Sequence, residues 1–246
     1  MNFTDDKMLG YDNAYQVFSA GDELVLDKNY RRAHLPLVNS SHPDVIANDE
    51  DYCMGTYNTH RRSIVLPVSD ERLRQTTTFI HIEKALRNAS FASKIAWDLL
   101  EKRKNLLHAT ISSGLKDDCV ELAIETLQTF LDTEPVKKYR LGGVFMGPVN
   151  TGRLYLKVYP EETGSGHIFG ELQSLLGLQQ TSFFLVGYFN LTEHLNKPET
   201  MELSEILNRY CNETLWEDEL RELWLISTHD DLVLSGKISK KIFRSI

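Results

Sequence analysis

Only three cysteines occur in 246 residues, Cys53, Cys119 and Cys211, odd in number and far apart. That excludes a disulfide framework and a cysteine-rich zinc site and suits a reducing compartment. No window approaches the roughly 18 consecutive apolar residues of a membrane span. The opening MNFTDDKMLGYD has neither the basic start nor the apolar run of a secretory signal. These absences predict a cytoplasmic chain without membrane contact. Basic charge is short as well: 27 Lys and Arg stand against 35 Asp and Glu, a net charge of −8. A chain that grips duplex nucleic acid shows a basic face, so duplex binding is not expected, whereas a small anionic ligand is compatible with this balance. The deficit is uneven, because residues 1–60 hold ten acidic side chains and four basic ones.

Familiar catalytic and ligand motifs are also missing. There is no Gly-x-Ser-x-Gly, Cys-x-x-Cys or His-Glu-x-x-His, and His34 with His42 lacks metal-ligand spacing. The acidic run Asn48–Asp51 lacks an EF-hand's glycine and terminal glutamate. Gly147 to Gly152 resembles a phosphate loop in glycine spacing, but no Lys-Ser/Thr pair follows and the next residues read as a strand. Neither a metal nor a cofactor is therefore expected.

With 41% hydrophobic and 25% charged residues, the chain is an ordinary globular sequence long enough for a real core. Residues 1–60 lack a sustained period and read as an N-terminal extension that wraps or lids the body formed by residues 61–246. In that body, Ser63–Val68 is a buried strand. Asp70 to about Arg103 is helical, with a break at Asn88-Ala89-Ser90. Leu106–Ser113 alternates as a strand, and Asp117 is placed to cap a helix striped by Val120, Ala123, Ile124, Leu127 and Leu131. Leu141–Val149 and Leu154–Tyr159 flank the turn Asn150-Thr151-Gly152 as a hairpin. Ile168–Leu176 and Met201–Cys211 are amphipathic helices, Thr181–Asn190 is a strand, and Glu219–Thr228 and Leu232–Ile238 are two closing strands. Interleaved strands and helices with hairpins predict an α+β fold.

His108-Ala109-Thr110 is the segment with chemical promise. Strand alternation puts His108, Thr110 and Ser112 on one face and Leu107, Ala109 and Ile111 on the other. The apolar set anchors the strand. The polar set offers an imidazole that moves protons near neutral pH, beside a hydroxyl that can bond a phosphoryl oxygen as charge develops.

An apolar strand (SIVLPV), a helical stretch, the His108-x-Thr110 strand (NLLHATISSGL), a helix, a hairpin (including GRLYLKVYP), a helix, the strand FFLVGYFN and a closing pair (from ELRELWLIS) follow one another over residues 62–240. In that order they resemble the 2H phosphoesterase family, relatives of RNA ligase-like cyclic phosphodiesterases. The resemblance implies two-lobed antiparallel sheets with flanking helices. It also implies two His-x-Thr/Ser motifs on facing strands that move protons while hydroxyls hold the phosphate without metal. Typical substrates are 2′,3′-cyclic phosphates and 2′-5′ linkages. His108 and Thr110 take the catalytic places of the first motif. The second motif is missing, since Phe183 and Leu185 stand where its His and hydroxyl belong. Tyr188, Asn190 and Ser112 remain as candidate substrate-binding residues. The expected function is metal-independent hydrolysis of a small nucleotide or RNA-end phosphodiester. The alternative is a non-catalytic nucleotide- or protein-binding module of the same fold, with a protein partner.

Overall fold

Apolar and β-branched residues with few helix formers make Thr56–Pro67 (β1) the longest strand of the computed structural model, which describes residues 2–245. The other long strands are His108–Ser113 (β2), Lys138–Phe145 (β3), Arg153–Pro160 (β4), Leu185–Asn190 (β5), Thr214–Glu219 (β6), Glu222–Asp230 (β7) and Lys237–Phe243 (β8). They form one sheet in the order β8-β7-β1-β2-β5-β4-β3-β6, every neighbouring pair antiparallel. Two-residue strands at Asn48–Asp49 and Tyr52–Cys53 extend it from the start of β1. At the centre, β2 and β5 match through the single pair Ala109 and Val186, whereas β1–β2 and β4–β5 each match through five. The sheet is thus two four-stranded halves meeting at a narrow seam, and His108 lies beside that seam.

The helices are Asp6–Leu9 (α1), Lys28–Ala33 (α2), Leu35–Val38 (α3), Asp70–Gln75 (α4), Thr77–Asn88 (α5), Trp97–Arg103 (α6), Val120–Thr133 (α7), Ile168–Leu175 (α8) and Lys197–Tyr210 (α9). Phe79, Ile82 and Leu86 of α5, Leu127 and Leu131 of α7, Phe169 and Leu172 of α8, and Leu203 and Leu207 of α9 share one buried core with Ile64, Ala109, Ile111, Leu156 and Val186 of the sheet. The chain is therefore an α+β protein with a large antiparallel sheet and flanking helices. No helix among the described residues is long and apolar enough to cross a membrane.

Residues 2–47 have little regular structure, yet Leu9, Tyr11, Leu24, Leu26, Tyr30 and Leu35 belong to that same core. The segment is fastened to β4, β5 and the loop after β5. Tyr11 Oη donates to the carbonyls of Val158 and Phe184, at 3.1 and 2.9 Å, and Leu24 pairs with Leu195. Asp27 caps α2 and also accepts the Thr151 N–H at 2.6 Å.

Several boundaries differ from the sequence reading. Asp117 does not cap α7; it lies in a 3₁₀ turn, ion-paired with Arg62, and α7 starts at Val120 without a side-chain cap. β5 starts at Leu185 because residues 181–184 bond elsewhere: Gln173 binds Thr181, and the Phe184 N–H donates to Tyr11 Oη at 3.1 Å. The last strand is displaced to Lys237–Phe243 because Asp230 folds the preceding residues into a turn, accepting the N–H groups of Leu232, Leu234 and Ser235. α9 begins at Lys197, four residues early, because Asn196 and Glu199 close a capping box with Pro198 in the first turn.

Candidate functional site

On β2, His108 lies opposite Pro67 and Thr110 opposite Val65, while Ala109 faces the core with Leu66 and Val186. His108 and Thr110, both half-buried, therefore share the face turned away from the main core. The ring of His108 is fixed by a 2.7 Å contact from Nδ1 to the Leu106 carbonyl. A carbonyl only accepts, so Nδ1 carries the hydrogen and Nε2 of the neutral ring keeps a lone pair. Burial pulls the His108 pKa down to about 4, against the Leu106 bond, and the charges of Arg103 and Arg153 push the same way as burial. At neutral pH this side chain is a base with Nε2 open, rather than a proton donor.

Ser112 does not share that face. The register shifts between Ile64 and Val65, which leaves Ile111 as an extra residue and brings Ser112 opposite Ile64 on the buried side. A second shift, between Leu154 and Tyr155, acts on β5. Tyr188 is the extra residue there and turns toward the helices, packed edge-on against Phe79 at 4.9 Å and donating to Asp70 at 2.5 Å. Beyond that shift, Asn190 returns opposite Arg153, where its amide lies against Tyr30 Oη at 3.4 Å. The fold thus brings His108, Thr110 and Asn190 to one side of the seam and places Ser112 and Tyr188 on the other.

Two guanidiniums that the sequence did not single out complete the neighbourhood. Arg103, at the end of α6, is 2% exposed and donates to the Leu232 carbonyl at 2.8 Å and the Gly187 carbonyl at 2.9 Å. Arg153, first in β4 and 8% exposed, donates to the Asp231 carbonyl at 3.2 Å and lies flat over Gly187. A Cβ at Gly187 would sit 2.1 Å from the Arg153 Nε, so glycine is what admits this guanidinium. Neither arginine forms an ion pair with any carboxylate among the described residues. Two acids lie close by and keep their charge: Asp230 accepts from the turn it caps and from Ser235, and Asp231 accepts from the hydroxyls of Tyr52 and Tyr57. Burial and the neighbouring Arg153 lower the Arg103 pKa to about 9, with Asp230 opposing.

The N-terminal segment supplies a further ring. His34, between α2 and α3, is 1% exposed and stacks on Tyr30 at 5.2 Å, and Tyr30 Oη donates to the Leu191 carbonyl at 2.6 Å. Neither ring nitrogen of His34 has a partner, nor does Arg153 Nε or Asn190 Oδ1. Burial holds the His34 pKa well below its ordinary value, and the charges of Arg153 and Arg103 lower it further. In sequence, His34 sits in an RRAHLP stretch without metal-ligand spacing to His42, Arg103 looks like the basic end of a helix, and Arg153 looks like the start of a strand. Only their burial beside the seam distinguishes them.

Two further histidines, His194 after β5 and His229 near the end of β7, are engaged elsewhere. His194 accepts the Leu26 N–H on Nδ1 at 2.9 Å and lies 2.7 Å from Asp44 through Nε2, which ties it to the N-terminal segment. His229 lies against His60, ring centroids 3.8 Å apart. A surface groove of about 850 Å³ is lined by Arg72, Trp216, Trp224 and Lys241 among others and does not include His108. Among the described residues no cluster of three or more His, Cys, Asp or Glu side chains is placed to hold a metal ion. Comparison with protein-family models gave no match, and neither did comparison with curated protein sequences.

Proposed function

We propose that this protein hydrolyses a small nucleotide or RNA-end phosphodiester, on a fold of the 2H phosphoesterase kind, with His108 as the base. The observation that carries this reading is the open Nε2 lone pair of His108 in the field of two buried guanidiniums. A base beside buried cations suits a reaction in which water is deprotonated and negative charge grows on phosphoryl oxygens. In this scheme His108 Nε2 takes the proton of the attacking water. The Thr110 hydroxyl donates to one phosphoryl oxygen, and Arg103 and Arg153 offset the charge on the others. The arrangement of two sheet halves about a central seam, with the His-x-Thr strand at the seam, supports the family reading.

The test is hydrolysis of 2′,3′-cyclic nucleotides and 2′-5′ oligonucleotides with chelator present, comparing wild type with His108→Ala. Loss of a positioned base costs about 10² to 10⁴ in rate. The acid limb of kcat/KM should fall near pH 4, not near 6.5, because His108 stays neutral well into acid. A second reading, a binding module of the same fold, is favoured by one observation. β5 presents no proton donor for the leaving oxygen, since Tyr188 is turned away to Asp70. Ligand-induced stabilisation without product in the same assay would decide for it.

A further inference from the structure

The two edges of the sheet are finished differently. At β6 the bond from the Leu220 N–H to the Lys137 carbonyl fixes the phase of pairing with β3, so the Glu217 carbonyl points outward, where Arg72 takes it at 3.2 Å. At β8 the bond from the Arg244 N–H to the Arg221 carbonyl fixes the phase in the same way, and Lys241 and Phe243 turn their N–H and C=O groups away from β7. Gln128 of α7 takes the Phe243 carbonyl at 2.8 Å. Nothing among the described residues takes the N–H or C=O of Lys241, and β8 pairs with β7 alone. The side chains of this edge are exposed and basic. Lys237, Lys240 and Lys241 form no ion pair among the described residues, in a chain of net charge −8. Phe243 is 53% exposed and Ile238 half-buried. Both faces of β8 open on grooves: Ile238 and Lys241 line the one of about 850 Å³, and Lys237 and Ser239 line another of about 470 Å³ on the opposite face.

We propose that the outer edge of β8, over Lys237–Phe243, is a docking site for an extended acidic segment of a partner protein, which adds to the sheet as a further strand. Unpaired edge groups are a template for such a strand, and main-chain bonds supply its affinity. Lysines on an edge decide which strand is admitted. A second copy would set Lys against Lys along β8, so self-addition is barred, whereas carboxylates opposite Lys237, Lys240 and Lys241 meet cations with no other ion pair. The side chains of an added strand alternate between the two faces, and each set has a groove beside it. Apolar residues among the acids would cover Ile238 and Phe243. The acids near β8 leave these lysines unpaired: Asp117 pairs with Arg62, Glu222 accepts the Trp224 indole N–H, and Asp118 and Glu121 stand across the second groove at the start of α7. Lys241 itself lies over the Trp224 ring at 4.7 Å, which holds its charge at the rim of the first groove.

This inference concerns a surface away from the seam and does not depend on hydrolysis by His108. The test is titration of the full chain with a synthetic peptide of about eight residues alternating glutamate and valine, read by fluorescence anisotropy. The same peptide with lysine in place of glutamate is the control. The acidic peptide should bind more tightly by about tenfold or more, and hydrogen exchange at the Lys241 amide should slow by about tenfold or more in the complex. Lys241→Pro deletes an N–H that points away from β7, so the Tm should hold while peptide binding is lost. Should that variant not fold, Lys240→Glu combined with Lys241→Glu alters exposed side chains only and should reverse the preference between the two peptides. No binding of the acidic peptide, equal affinity for both peptides, binding that leaves the Lys241 amide unprotected, or an unaltered preference in the double variant each overturns the proposal. Single-stranded RNA that binds in place of the acidic peptide, and is lost in the double variant, would assign these lysines to phosphates and overturn it too.

Discussion

His108 couples the site to the stability of the whole domain, and the size of that coupling can be worked out. An unfolded histidine titrates near 6.5, whereas burial and two guanidiniums hold this one at about 4. A base whose folded pKa is depressed contributes its full stability above the unfolded value. That contribution falls as pH drops through the interval and is gone below the folded value. The interval is about 2.5 units, so His108 alone costs about 3 kcal/mol once both states are protonated, about 2 kcal/mol of it by pH 5. For a domain of this size that is a fall of about 4 to 8 °C in Tm. The assay is thermal melting of wild type and His108→Gln at pH 7.5 and pH 5. Other titrating groups, His34 included, act on both proteins alike and cancel in the comparison. The stability gap between the two proteins should narrow by about 2 kcal/mol at the lower pH. An unchanged gap, or a histidine resonance titrating near 6.5 and lost in the variant, would refute the burial argument and with it the assignment of Nε2 as an open base.

Other sites yield sharper single outcomes. Asp6 accepts Lys157 Nζ on both oxygens, at 3.0 and 2.8 Å, and Lys157 is only 2% exposed. Asp6→Asn should therefore cost about 3 to 5 kcal/mol by orphaning a buried ammonium, and adding Lys157→Met should restore most of the lost Tm; a double variant as unstable as the single one would contradict this. Tyr188→Phe deletes a hydroxyl bonded to Asp70 and should cost about 1 to 3 kcal/mol, with diester turnover unchanged; a selective loss of turnover would place Tyr188 back at the seam. Tyr30→Phe removes the bond to the Leu191 carbonyl. Limited proteolysis within residues 24–38 should then accelerate while Tm falls only a few degrees, and an unaltered cleavage rate would show that another contact holds this segment.

The sequence by itself determined the local elements, because their signals are local. Ala109 and Ile111 on β2, and the stripe Ala123, Leu127 and Leu131 on α7, state which side of each element is buried, and the core is built from those sides. His108 and Thr110 were legible for the same reason: alternation put them opposite the apolar set. What alternation could not supply is the effect of a single extra residue. The register shifts opposite Val65 and Tyr155 turn Ser112 and Tyr188 to the buried side, and a one-residue slip leaves no mark in composition. Tertiary structure alone decided the cationic neighbourhood. Arg103 comes from a helix end, Arg153 from a strand on the far side of the seam, and His34 from a segment without a period, and no spacing relates them. Their significance is that they are buried together without a direct ion pair, and a buried charge is defined by what surrounds it in space rather than by what adjoins it in the chain.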